Sequence, residues 1–190
     1  MAMLPTLRTE RLVLRPFELT DALEVQRLAG DRQVAATTVN IPHPYKDGIA
    51  EAWIERHAEA LDKGEAVHLA ICLRDDGRLV GAIALFLRLE HNRAEIGYWV
   101  GKPYWGNGYC TEAAGEIIRY GFEELELSRI FAEYMAGNVA SGRVLEKIGM
   151  KYEGRMRQHM IKWDLPQDMI VYGILKEDFA EMQRAAEQRH

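Results

Sequence analysis

The chain has 190 residues, 48% hydrophobic and 28% charged, an ordinary globular composition able to bury roughly 70% of the unfolded surface. Intrinsic disorder, collagen-like sequence and a disulfide scaffold are excluded on that ground. Lys and Arg number 24 against 29 Asp and Glu, a net charge of −5, so no basic excess exists to drive binding along a phosphate backbone and DNA is not expected as a partner.

Two cysteines, Cys72 and Cys110, are too few for a metal cluster and read as reduced thiols. Arg8, Glu10, Arg11 and Arg15 interrupt the first segment, which therefore lacks the apolar centre of a signal peptide. The longest apolar run, Leu79–Leu87, is far short of the ~20 residues that span a bilayer. A cytoplasmic protein without membrane association is expected. No repeat, low-complexity tract or Pro/Ser-rich linker divides the sequence, so residues 1–190 are expected to form a single domain.

In chain order, Arg11–Arg15 reads as a short strand. Thr20/Asp21 with Glu24 forms a capping-box pattern opening a helix that stops at Gly30. The two prolines of Asn40–Tyr45 make that segment a loop. A second helix starts near Asp47, carries Ile49, Ala52, Trp53 and Ala60 on one stripe, and stops at Gly64. Strands follow at Val67–Leu73, Arg78–Leu87 and Ala94–Val100, the first two joined by an Asp75-Asp76-Gly77 turn, which predicts an antiparallel meander. A helix begins near Gly108–Thr111, with Ala114, Ile117, Ile118, Gly121, Phe122 and Leu125 on one face. The remainder reads as a strand at Arg129–Met135, a helix at Asn138–Ile148 ending at Gly149, strands at Met150–Met160 and Met169–Leu175, and a last helix carrying Phe179 and Met182. Antiparallel and crossover connections are thus mixed in one α/β (α+β) chain.

The chemistry concentrates between Glu95 and Ala114. There a strand runs into a Gly-containing turn that opens directly into a helix, and such a helix start offers unpaired N–H groups and a positive dipole to an anion. Gly106 and Gly108 let the backbone approach without a Cβ, and small Cys110 permits close packing. A tight helix start with no ligand fits Gly-x-Gly equally well. The P-loop pattern fails for want of a following Gly-Lys-Ser/Thr. A dinucleotide site fits poorly, because Thr111 replaces the third glycine and the turn follows a meander, although Glu133 could imitate the ribose-binding acid. A second signal runs from Asn138 to Gly154, where Asn138 is a natural N-cap and Ser141 sits in the first helical turn.

Taken together, Thr9–Pro16, Glu95–Ala114 and Asn138–Gly154 resemble, in order and over nearly the whole chain, the GCN5-related N-acetyltransferase (GNAT) superfamily and its ribosomal-protein-alanine N-acetyltransferase-like (RimJ/RimL-type) branch. The resemblance implies a mixed, mostly antiparallel twisted sheet of about seven strands, flanked by helices and splayed between the fourth and fifth strands, here Ala94–Val100 and Arg129–Met135. It implies acetyl-CoA as cosubstrate and no metal. Backbone groups of Tyr98, Trp99 and Val100 would pair with the pantetheine arm, while Trp105, Gly106, Asn107, Gly108, Tyr109, Cys110 and Thr111 would cradle the pyrophosphate. Trp105 stands where Gln or Arg is frequent, and Cys110 where Gly or Ala is, changes that a backbone cradle tolerates.

Within that resemblance Glu95 is the base, directly or through a water, against the plainer reading of a solvent-facing strand carboxylate. Ser141 is the acid toward the departing thiolate and also lies in the cofactor site, Asn138 bonds the pantetheine arm, and a backbone N–H near Tyr98 or Trp99 holds the oxyanion. His43, His57, His68, His91 and His159 show no metal-ligand spacing and read as surface or packing residues. The acceptor is expected to be a primary amine, foremost a protein N-terminal α-amine. An amino acid, polyamine or aminoglycoside acceptor and a non-catalytic acyl-CoA-binding module are the alternatives, and the protein is a monomer or homodimer.

Overall fold

The computed structural model describes residues 4–188; the extreme ends of the 1–190 span lie outside the described residues. In chain order the elements are β1 (Leu7–Arg8), β2 (Leu12–Arg15), α1 (Ala22–Ala29), α2 (Arg32–Thr37), α3 (Ile49–Asp62), β3 (Ala66–Leu73) and β4 (Leu79–Arg88). They continue with β5 (Arg93–Val100), α4 (Tyr109–Glu123), β6 (Arg129–Met135), α5 (Val139–Lys147), β7 (Lys151–Lys162), β8 (Leu165–Leu175) and α6 (Lys176–Glu187). One eight-stranded sheet runs in the order β1-β2-β3-β4-β5-β6-β8-β7. Neighbours are antiparallel except β5 and β6, which are parallel and are linked by the crossover through α4.

The sheet's two faces are set by register. β4 is apolar almost throughout because helices cover both its sides, and a strand buried on both faces loses the usual alternation. His68 opposes Ala84, which opposes Gly97; Ala66 opposes Phe86, which opposes Glu95. Directly opposed residues share a face and alternate residues return to it, so His68, Phe86, Glu95, Gly97 and Trp99 look to one side. That side is covered by α1 and α3, whose Val25, Leu28, Ala50 and Ile54 pack on Ala70 and Cys72. The opposite face carries Val67, Leu69, Ile83, Leu85 and Ile96 against Ile117, Ile118 and Phe122 of α4 and Leu145 of α5. Each such buried side chain stabilises the fold by ~1.5–3 kcal/mol. Gly121 lets α4 press against the sheet: a Cβ there would stand 2.8 Å from Ile130 Cδ1.

The structure corrects the expected elements at several points. There are eight strands where about seven were expected, the addition being Leu7–Arg8, which pairs with Leu14 and Val13; two residues leave no periodicity to read. The parallel neighbours therefore become the fifth and sixth strands, with their expected segments unchanged. α2 was not expected either; its six residues are too few for an amphipathic stripe, and it starts where Asp31 accepts from the N–H of Gln33 at 2.7 Å. The Thr20/Asp21–Glu24 capping box does not form. The Asp21 carboxylate instead accepts from the N–H of Glu18 (2.8 Å) and receives both ends of the Arg15 guanidinium (2.7 and 2.8 Å), pinning β2 to the turn before α1. The last two strands reach further than expected and meet at Trp163-Asp164, both in the left-handed region. No helix among the described residues is long and apolar enough to cross a membrane.

Under α3, His57 is only 4% exposed and neither ring nitrogen has a hydrogen-bond partner. Its ring stacks on His68 (centroids 4.3 Å apart, planes at 10°) and meets Trp53 and Phe17 edge-on. Burial, aided by the neighbouring His68 and Arg56 charges, pushes His57 down to about 3, and burial pushes His68 down to about 4. An unfolded histidine takes up its proton near ~6.5. Between that pH and the two depressed values the unfolded chain binds protons that the native chain refuses, so stability is lost as pH falls. Chemical denaturation at pH 5.0–6.5, above the range of ordinary carboxylates, is expected to show this slope and to show it reduced in His57→Phe; an unchanged slope in the variant contradicts the assignment.

Candidate active site

β5 and β6 are paired only at Arg93/Arg129, Ala94/Ile130 and Glu95/Phe131. From Ile96 onward β5 is bonded to β4 alone, while β6 remains bonded to β8 through Met135. The sheet is split along that line. A cavity of about 1120 Å³ occupies the gap, walled by both strands, the turn before α4, the start of α5 and the α1–α3 side. Every site residue expected from sequence lines it except Asn107, whose side chain turns back to donate to the carbonyls of Tyr104 (3.1 Å) and Trp105 (3.2 Å).

Glu95 stands at the last paired position, on the α1–α3 face and in the cavity wall. Glu133, two residues beyond the Phe131 partner of Glu95, shares that face and the cavity. Burial and then the Glu133 charge raise the Glu95 carboxyl above its usual value, with Arg88 opposing. Sequence reading took Glu133 only as a possible ribose ligand; pairing the register of β5 with that of β6 is the signal that places it beside Glu95.

Tyr98 lies three residues on, hence on the other face, and its hydroxyl is 2.9 Å from Ser141 Oγ and 3.3 Å from the Ser141 carbonyl oxygen. Burial holds the phenol well above its ordinary value, so it stays protonated. Only its backbone was expected to matter; the hydroxyl was missed because the contact joins residues 43 apart in sequence. Asn138 caps α5 through Oδ1, accepting from the Ser141 N–H (3.2 Å), and its Nδ2 donates to the Thr37 carbonyl (3.1 Å). One of its two amide protons is thereby committed to the last residue of α2. Among the three β5 positions expected to offer backbone groups, Val100 has its carbonyl oxygen taken by Trp105 Nε1 at 2.7 Å.

Gly106 and Gly108 both have φ of +79°, a conformation that side-chain-bearing residues rarely adopt. A Cβ at Gly106 would meet nothing within 4 Å, so the turn's outer surface is open. No side chain caps α4, and its first intrahelical bond runs from the N–H of Glu112 to the Gly108 carbonyl (3.1 Å). The N–H groups of Tyr109, Cys110 and Thr111 precede that bond, and the three residues line the cavity; a helix start of this kind can receive an anion. Cys110 is held as a thiol by burial, which pushes it up to about 12; it fills the turn rather than offering a nucleophile.

A cavity through a split sheet, with an uncapped helix start on one side and a raised carboxylate on the other, defines a site for an anionic cofactor and a second, proton-bearing substrate. The Acetyltransferase (GNAT) domain family matches residues 11–151. YoaA, an uncharacterized N-acetyltransferase of Bacillus subtilis (strain 168), is 34% identical over 175 residues, 92% of this chain and 98% of its own. A GNAT-family acetyltransferase from Bacillus anthracis has the same fold, with a TM-score of 0.82 at 28% identity over 91% of this chain and 99% of that one. RimL, a ribosomal L7/L12 alpha-N-protein acetyltransferase solved with coenzyme A, shares the fold at TM-score 0.83 and 15% identity, covering 90% and 98% of the two chains. The chain belongs to the GNAT family and is an acetyl-CoA-dependent N-acyltransferase.

The Glu95–Glu133 arrangement is open to direct titration. Followed by carboxyl carbon resonance, Glu95 is expected to titrate above the ordinary ~4.3 of a glutamate and to move down in Glu133→Gln. A Glu95 value indifferent to that substitution shows that the Glu133 charge does not reach it.

Proposed function

We propose that the protein moves the acetyl group of acetyl-CoA directly to a primary amine, foremost the α-amine of a protein N-terminus. The observation that carries this is the placement of Glu95 and of the Tyr98–Ser141 pair on opposite faces of the sheet at the split. The uncapped start of α4 supports the cofactor assignment, since its free N–H groups suit a diphosphate. The bound cosubstrate supplies a thioester carbonyl and a thiolate leaving group. Everything else falls to the chain.

On the α1–α3 face, Glu95 takes the proton of the incoming amine, directly or through a water. Its raised value narrows the gap to the ~7.7–8.0 of an α-amine, a smaller demand than the ~10.4 of lysine. A backbone N–H near Tyr98 or Trp99 meets the negative charge that develops on the acyl oxygen. On the α4–α5 face, Ser141 gives its hydroxyl proton to the departing sulfur, while Tyr98, hydrogen-bonded at 2.9 Å and kept neutral by burial, steadies the serine oxygen until solvent restores its proton, the proton taken by Glu95 leaving to solvent in turn. The fold shared with RimL, which is named for an α-N-protein acceptor, supports the choice of acceptor.

Ser141→Ala is expected to lower kcat by about 10- to 100-fold, the range for one acid–base group, with the KM for acetyl-CoA nearly unchanged; unaltered turnover removes Ser141 from proton transfer. Free-thiol release with peptides bearing Ala or Ser amino termini is expected to exceed that with polyamines, amino acids or aminoglycosides. The reverse ranking overturns the α-amine assignment, and no release with any amine despite coenzyme A binding makes the protein an acyl-CoA-binding module.

A further inference from the structure

The Thr9–Arg15 segment forms no part of the cavity wall, yet it reaches the turn before α4. Glu112, in the first turn of α4, receives three donors from it: Thr9 Oγ1 (2.6 Å) and the Arg11 N–H (2.8 Å) on Oε1, and Arg11 Nε (2.7 Å) on Oε2. Arg11 NH2 closes the ion pair with Oε2 at 2.7 Å. The same guanidinium continues into the turn, where NH1 donates to the Asn107 carbonyl (3.0 Å) and the group lies over the Tyr109 ring, 5.0 Å from its centroid. A Cβ at Gly108 would stand 3.5 Å from Arg11 NH2. The segment itself is held from behind: Arg74 donates to the carbonyls of Thr9 (3.1 Å) and Glu10 (3.3 Å), and its N–H to that of Arg11 (2.9 Å).

A carboxylate in the first turn stabilises a helix that ends in water, but beneath a bound diphosphate it repels the ligand that the free N–H groups attract. Burial would raise the Glu112 carboxyl, and the bonds from Thr9 and Arg11 outweigh it, keeping the group ionised. Its charge must therefore be offset. We propose that Arg11 is a positioning residue for the cofactor's diphosphate, cancelling the Glu112 charge and holding the Asn107 peptide so that the start of α4 presents net positive potential. This rests on the acetyl-CoA assignment made above. Arg11 acts through the turn and is not catalytic.

The test is calorimetric binding of coenzyme A to the full chain, in wild type, Arg11→Gln, Arg11→Lys, Glu112→Gln and the Arg11→Gln/Glu112→Gln double variant. Arg11→Gln is expected to weaken binding about tenfold, the scale of an uncompensated charge at a helix start, while kcat at saturating acetyl-CoA changes less than twofold. Arg11→Lys keeps the charge and is expected to retain most of the affinity. The double variant is expected to recover most of the loss, because the repelling carboxylate is gone; a merely structural role would leave it at least as weak as Arg11→Gln. Wild-type affinity in Arg11→Gln, or no recovery in the double variant, overturns the inference. If Arg11→Gln fails to fold, Glu112→Gln alone decides, since it is expected to bind coenzyme A at least as tightly as wild type and weaker binding overturns the inference. A wild-type protein that binds no coenzyme A overturns the acetyl-CoA assignment together with this inference.

Discussion

Everything at the site follows from β5 and β6 being hydrogen-bonded for three residue pairs and then separating. Opening a sheet at its centre exposes backbone groups whose loss of partners costs ~1–3 kcal/mol each when they are buried, so a split of this kind persists only where other groups meet them. Trp105 Nε1 takes the Val100 carbonyl. The Tyr98–Ser141 bond spans from β5 to α5, tying the separated strand to the helix that follows β6. The gap is thus a supported feature, and β5 positions beyond Glu95 face a cavity instead of a strand.

Helices with side-chain-tied starts and helices without them meet around that cavity. Asp31 caps α2 and Asn138 caps α5, each spending a side-chain oxygen on an otherwise unpaired N–H. α4 begins at a left-handed glycine with no cap at all. Positive potential at the site therefore comes in part from oriented backbone, beside Arg143 and Lys147 in the cavity wall, within a chain of net charge −5. Arginine also enters at the edge, in the Arg11–Glu112 pair, where it offsets an acid the helix itself supplies.

Much of this was legible in the sequence because it depends on local chemistry. The apolar run of β4, the Asp75–Gly77 turn, the stripe of α4 and the glycines before it all report on their own conformations. The elements that escaped are those set by distant partners or too short for a period: Leu7–Arg8 exists because β2 offers an edge, and α2 spans less than two turns. Asp21 was read as a helix cap, yet its strongest partner is Arg15, six residues back on β2, and an ion pair outweighs a neutral cap. At the site, the glycine turn could be found from spacing, whereas the Tyr98–Ser141 contact and the proximity of Glu133 to Glu95 need the register of strands that no local pattern encodes.

That register also divides the chemistry. Glu95 and Tyr98 are separated by an odd number of residues, and in an extended strand an odd separation puts two side chains on opposite faces. One strand thereby delivers a carboxylate to the α1–α3 side and a hydroxyl to the α4–α5 side, with its own backbone between them at the gap. An even separation would crowd both groups on one face and leave the other without a proton-handling side chain. A slip of one residue in the β4–β5 pairing would exchange the two faces and bury Glu95 against Ile117 and Ile118, where no cation compensates it. The apolar packing that fixes Ile96 and Ala94 beneath α4 is therefore also what holds the Glu95 carboxylate and the Tyr98 hydroxyl apart.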